Sequence, residues 1–365
     1  MSESLLARTL AHLERLVAFD TRNPPRNIDG EGIFAYLRGE LAAAGMRCEL
    51  ADLGSGCVYL LATRGAPKLV INVHIDTVPA DPGWTRDPLR LVVDGERAIG
   101  LGACDIKGAA ACLLAVLPET RGDAAVLFSS DEEAGSSACV RAFLERHRFA
   151  AALVAEPTRC AAVCEHRGIG TATANFNGVG GHASAARALR DSAVHEAVRW
   201  ASRALEYAGA NEDLGDGELR GVRLNLGAIE GGLKANMIAA ATTVRFGVRP
   251  PPALPPEAAL EQLFALAPEP SRVEFAPGFL APPLPAGGPA RLASARADAT
   301  ALAGRLGLRV GSAVDFWTEA ALFSAAGATA LVYGPGDIAQ AHTAGEWVAL
   351  AELAAAAADY RRILS

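Results

Sequence analysis

The pattern of helix and strand signals changes twice along this chain, and that change constrains its fold more than any other feature. Up to residue 166 the two signals alternate. Residues 5–19 carry apolar side chains at helical spacing, and 32–44 reads as a second helix closed by Gly45. KLVINVH (68–74) is a short, β-branched strand of the kind buried on both faces. Residues 89–93 and 98–101 flank Asp94-Gly95, a hairpin signal. A helix over 106–117, a strand over 124–128, a helix over 137–146 and a strand over 151–154 follow. Such alternation predicts a layered α/β domain with a mixed, largely parallel sheet flanked by helices.

From residue 167 the order becomes β-α-β-β-α-β. Strands are predicted over 168–176, 222–229, 238–248 and 273–275, with helices over 192–207 and 256–266 and a linker-like turn over 250–256. This is the ferredoxin-like arrangement. A proline-rich joint, APPLPAGGP (281–289), precedes a return of helical and strand patterns. We therefore expect an α/β domain over 1–166 and 282–365, with a ferredoxin-like α+β domain, 167–281, inserted into it. A chain of 365 residues suits two cores better than one.

Apolar residues make up 51% and charged residues 21%, the composition of a folded globule. The balance of 34 basic against 41 acidic side chains argues against a nucleic-acid or anionic-lipid partner. The longest apolar run, 108–117, ends at Pro118 and falls short of the roughly 20 residues a membrane span needs. The opening segment carries Arg8, His12, Glu14 and Arg15 among its leucines, so it reads as an amphipathic helix, not a signal peptide. Seven cysteines without a C-x-x-C pair read as free thiols in a reducing cytosol.

Four stretches place acids or histidines where strands end, the edge at which open α/β sheets bind ligands. In VHIDTVP, His74 and Asp76 are two apart and point to one side of an extended chain. They suit a metal ligand with its carboxylate orienter, or a structural His–Asp pair. In GLGACDIKG, Asp105 lies between glycines that allow close backbone approach; it suits a ligand or a cap on the next helix. The glycine spacing fits neither a dinucleotide loop nor a P-loop. In FSSDEEAG, Asp131, Glu132 and Glu133 form either a solvated turn or a cluster that a cation neutralises. LVAEPT supplies Glu156 and AHTAGE supplies His342. Together these make a plausible ligand set for two zinc-like ions, and no H-E-x-x-H helix competes with it.

The combination H-x-D-T-V-P, C-D-x-K-G, D-E-E, A-E-P-T and G-P-G-x-x-x-Q-A-H resembles the M20-type metallopeptidase family, over essentially the whole chain. CDIKG, FWTEA and GPGDIAQAH look most like its acetylornithine deacetylase branch, which includes N-acetylcitrulline deacetylases. The resemblance implies two divalent metal ions, Zn2+ with Co2+ able to substitute. His74 and Glu156 would hold one, Glu133 and His342 the other, and Asp105 would bridge them. Glu132 would be the general base and Asp76 would support His74. The inserted domain would be a lid that also forms a homodimer. GVGGHAS places His182 where the family sends a histidine into the partner's site. GGLKANMIA places Asn236 at a substrate contact, although the usual proline after the isoleucine is Ala239. Arg249, in FGVRP, matches the arginine that grips a substrate carboxylate, with Arg167 a further substrate candidate. Leu101 stands where an arginine is common.

The reaction so implied is hydrolysis of an N-acetyl-L-amino acid to acetate and the free amino acid, in cytoplasmic arginine biosynthesis, with N-acetylcitrulline or N-acetylornithine as substrate. A desuccinylase, a dipeptidase or a general aminoacylase would share the scaffold. A non-catalytic binding protein would be expected to lack a ligand or the base, and here every such position is filled.

Overall fold

The computed structural model describes residues 4–25 and 28–365. Residues 1–3, 26 and 27, which fall inside the predicted α/β domain, lie outside the described residues. Two compact units divide the chain: Met1–Cys164 with Ser294–Ser312 and Thr318–Ser365, and Glu165–Ala293 with Ala313–Trp317.

In the first unit LVINVH and AAVLFS are buried almost throughout, which makes Leu69–His74 and Ala124–Ser129 interior strands. The six-stranded sheet runs Arg47–Asp52, Val58–Arg64, Ala124–Ser129, Leu69–His74, Ala151–Val154, Thr329–Val332. The last four are mutually parallel and the first two pair antiparallel, so the sheet is mixed. Because the four run the same way, their carboxyl ends share one edge. His74 lies opposite Ser129 there, and Val154 lies opposite Val332. The hairpin Arg47–Asp52/Val58–Arg64 was not legible in the sequence. RCELAD is the outer strand, exposed or half-exposed at every position, so it lacks the apolar run that marks the interior strands.

Helix Gly108–Val116 is buried at every position, which accounts for a segment apolar all round. Leu5–Val17 and Leu350–Ile363 pack against it. Leu5–Val17 is capped by Ser4, whose Oγ accepts from the Ala7 N–H at 3.2 Å, and it buries Leu13, Leu16 and Val17. Truncating a core leucine such as Leu13 to alanine would cost about 2–5 kcal/mol. The hairpin signal Asp94-Gly95 joins Val92–Asp94 to Arg97–Ile99, in a small sheet completed by Trp347–Ala349.

The second unit is β-α-β-β-α-β. Its sheet is antiparallel throughout, in the order Arg223–Gly231, Ala241–Arg249, Ile169–Asn177, Val273–Ala281. Val244, Phe246 and Val248 alternate inward beneath helices Ala193–Ala210 and Pro256–Phe264. Trp200 fills that core, and its Nε1 donates to the Leu263 carbonyl at 2.9 Å. The strand expected over 238–248 is two: Met237–Ile238 pairs with Gly181–His182 in a separate ribbon, and Ala241–Arg249 enters the main sheet. All seven cysteines are free thiols. Among the described residues no helix is long and apolar enough to cross a membrane.

Candidate metal centre

The parallel edge of the first unit's sheet gathers the acids and histidines. His74 closes the Leu69–His74 strand and is 2% exposed. Its Nδ1 lies 3.1 Å from the Asp76 carbonyl oxygen and 3.5 Å from the Asp76 carboxylate. With Nδ1 so engaged, Nε2 faces Asp105 Oδ1 at 3.2 Å and Glu156 Oε1 at 3.8 Å. The Asp76 carboxylate is only partly the imidazole's orienter. It also accepts from Asn23 Nδ2 at 3.1 Å, from the Glu133 N–H at 3.0 Å and from the Glu132 N–H at 3.3 Å. One buried carboxylate thus fixes both the ring and the acidic turn. The TRNPP segment supports it: Asn23 and Thr77 are stitched backbone to backbone, as are Thr77 and Thr21.

Asp105 does not cap the following helix, which has no side-chain cap. Its Oδ1 faces His74 and its Oδ2 lies 3.4 Å from His342 Nε2. The loop that presents it needs Gly102, whose φ is +78° and where a Cβ would come within 2.7 Å of Thr77. The backbone N–H groups of Gly102, Cys104 and Asp105 each donate to the Glu346 carboxylate at 2.9 Å. Glu346, buried and four residues past His342, therefore fastens the loop, while Leu101 is buried and apolar. The sequence offered a signal for Glu346, an acid next to the strand Trp347–Ala349, but not its partners 241–244 residues away.

The three acids of DEE separate by role. Asp131 is wholly buried and accepts from Ser136 Oγ at 2.8 Å and from the Ala138 N–H at 2.5 Å, anchoring helix Ala138–Arg146. Glu133 Oε1 lies 2.9 Å from His342 Nε2. Glu132 shares the turn but belongs to neither ligand group.

Among the described residues two groups of side chains could hold a cation, His74–Asp105–Glu156 and Asp105–Glu133–His342; within each, the ligand atoms lie within 4.8 Å of one another. They share Asp105. The electrostatics fit a cation pair. Burial, reinforced by neighbouring carboxylates, pushes Glu132 and Glu156 well above the ordinary glutamate range, and burial raises Glu133. Hydrogen bonds to Asp105 and Glu133 lift His342 to about 10. Burial opposes charge on His74, yet Asp105, Asp76 and Glu156 outweigh it and raise the ring. A cluster of buried carboxylates that draws in protons this strongly is one that divalent cations neutralise. Oxygen and imidazole donors suit zinc-like ions.

The remaining predicted residues lie in the second unit. His182 lies on the two-stranded ribbon, where it pairs with Met237 and its Nδ1 lies 2.7 Å from Ser184 Oγ; Asn236 is in the turn just before Met237, and its carbonyl accepts from the Ala183 N–H at 3.1 Å. Arg249 lies opposite Arg223 on the helix-free face of the sheet. Both line a cavity of about 600 Å³ with Arg245, Thr171 and Asn225. Arg167 is wholly buried: Nε donates to Asp315 Oδ1, and Nη1 and Nη2 donate to the Gly221 and Arg220 carbonyls.

A mixed α/β sheet with two candidate ligand groups gathered at its edge and sharing one aspartate defines a metal-dependent hydrolase. The chain belongs to peptidase family M20/M25/M40, whose model matches residues 70–365. It is 51% identical to the N-acetyl-L-citrulline deacetylase of Xanthomonas campestris pv. campestris, over 99% of this chain and 98% of that one. It is 36% identical to the acetylornithine deacetylase of Myxococcus xanthus, over 97% and 95%. Among solved structures it superposes on the aminopeptidase PepT of Bacillus cereus with a TM-score of 0.74, at 18% identity and 98% coverage of both chains, a likeness of fold.

Proposed function

We propose that this enzyme hydrolyses the amide of an N-acetyl-L-amino acid, with N-acetyl-L-citrulline as its substrate, releasing acetate and the free amino acid. The observation that carries the reading is the sharing of Asp105 between two ligand groups with Glu132 left free beside them. The greater identity to the acetylcitrulline enzyme than to the acetylornithine enzyme supports the ureido substrate. That substrate places the enzyme in arginine biosynthesis, in the cytoplasm.

His74 and Glu156 would hold one ion and Glu133 and His342 the other, with Asp105 between them. We assign zinc, with cobalt as a substitute. Such ions, when bound, polarise the acyl carbonyl and lower the pKa of water. The chain supplies the rest. Asp76 holds His74 with Nε2 forward and fixes the backbone of Glu132 and Glu133. Glu132, raised in its proton affinity by burial, takes the proton of the attacking water at its carboxylate and returns it to the leaving nitrogen. His182, entering the partner subunit's site in the homodimer proposed below, would donate to the oxyanion there. Arg249 and Asn236 bind the substrate, Arg249 through the α-carboxylate. Arg167 has its donors engaged within its own unit and is left out of the substrate set.

We also propose a homodimer through the inserted domain. Arg223–Gly231 is an edge strand with exposed Ile229, and Leu233 and Met237 beside it are also exposed.

The test is steady-state kinetics on acetylated, succinylated and dipeptide substrates, with metal-stripped protein reloaded with zinc or cobalt. Turnover confined to acetyl amino acids, fastest with acetylcitrulline, is the expected result. A preference for acetylornithine would move the assignment to the other relative. Equal turnover of dipeptides would overturn it.

A further inference from the structure

Glu319, from the FWTEA motif, is a buried acid that the proposed mechanism does not use. It precedes helix Ala320–Ala325 and is 1% exposed. Its Oε2 accepts from Asn72 Nδ2 at 2.7 Å and from Ser129 Oγ at 3.3 Å. Its other oxygen, Oε1, is buried without a partner, and so is Oδ1 of the same Asn72. An ionised carboxylate only accepts, so neither it nor the amide could partner the other's buried oxygen. A proton on Oε1 turns that oxygen into a donor, and Asn72 Oδ1 is the acceptor left over on the amide already bound to Oε2.

We propose that Glu319 binds a proton in the folded enzyme, pairing acid-to-amide with Asn72 in that form, and that it is a positioning residue for the hydrolytic site. Asn72 lies two residues before His74 on its strand, and Ser129 lies three before Glu132 on the neighbouring strand. Glu319 ties these two strands together just behind the edge where the ligands emerge. The charged and titratable groups around it are Asp131, His74, Asp76, Glu132, Glu156 and Cys139. Burial, with Asp131 next, lifts its proton affinity to about 7. Its proton uptake relative to the unfolded chain makes stability fall as pH rises from the ordinary glutamate range to about 7, and stay lost above that.

The test compares zinc-loaded wild type with E319Q, whose amide keeps the shape and both hydrogen bonds without a charge, and with E319A. We expect three results. The infrared difference between wild type and E319Q at mildly acid pH shows a protonated-carboxyl stretch in wild type. The melting temperature of E319Q gains on that of wild type between about pH 5 and about pH 8. E319Q keeps kcat/KM within about 3-fold of wild type, whereas E319A loses at least about 10-fold in kcat with KM little changed. Absence of the carboxyl band, or a melting difference that does not vary with pH, overturns the neutral acid. A collapse of turnover in E319Q with zinc retained, or an unaffected E319A, overturns the positioning role. The turnover arm rests on the proposed deacetylase reading, while the infrared and melting arms stand without it; an inactive wild type would sink that reading alone.

Discussion

The Asp76 carboxylate accepts the backbone N–H of Glu133 at 3.0 Å, while its own carbonyl holds His74 Nδ1 at 3.1 Å. A residue two positions past one proposed ligand thereby sets the position of another, from a different strand end. Asp76→Asn leaves the main chain to hold His74 but removes one acceptor from the turn. Metal affinity should fall about 10–100-fold, the range seen for loss of groups that orient ligands. Isothermal titration of the stripped protein with zinc measures it; unchanged affinity would mean that the turn is fixed elsewhere.

Glu132→Ala should retain both ions and lose about 10²–10⁴-fold in kcat, the contribution of a positioned proton-transfer group. Elemental analysis alongside kinetics decides this. If metal leaves together with activity, Glu132 is a ligand and the roles within DEE are exchanged.

The five proposed ligands were named from short motifs and a family resemblance: His74, Glu133 and Glu156 end or closely follow strands of the main sheet, whereas Asp105 lies in the turn before helix Gly108–Val116 and His342 lies ten residues past Thr329–Val332. What was not legible was what holds them. Glu346 meets Gly102 across 244 positions, Asn23 meets Asp76 across 53, and Glu319 meets Asn72 across 247. No local pattern encodes such pairings; only the packed sheet brings them together. The hairpin before Leu69–His74 escaped for a different reason: its outer strand is exposed or half-exposed at every position and offers no buried apolar run.

Glu346→Ala leaves three backbone N–H groups of the Asp105 loop without an acceptor, at about 1–3 kcal/mol each while they remain buried. The variant should melt lower and bind its ions more weakly, and Glu346→Gln should restore only part of either. Calorimetric melting with and without zinc separates the two effects. A variant with wild-type melting and wild-type affinity would show that the loop keeps its shape unaided.

Arg249→Ala should raise KM for substrates bearing an α-carboxylate by about 10–100-fold, since a charged hydrogen-bonding partner is lost, and leave amides without that carboxylate unaffected. Burial disfavours the charge on Arg249, which makes an anionic partner welcome there. Equal losses on both substrate types would refute the assignment.

The most direct test is the metal content of wild type and of Asp105→Asn, after stripping and reloading with zinc. Two ions per chain in wild type, with fewer than two and little turnover in the variant, is the result expected if one carboxylate serves both sites. A wild type active with no bound metal, or a variant that still binds two ions at full activity, would contradict it.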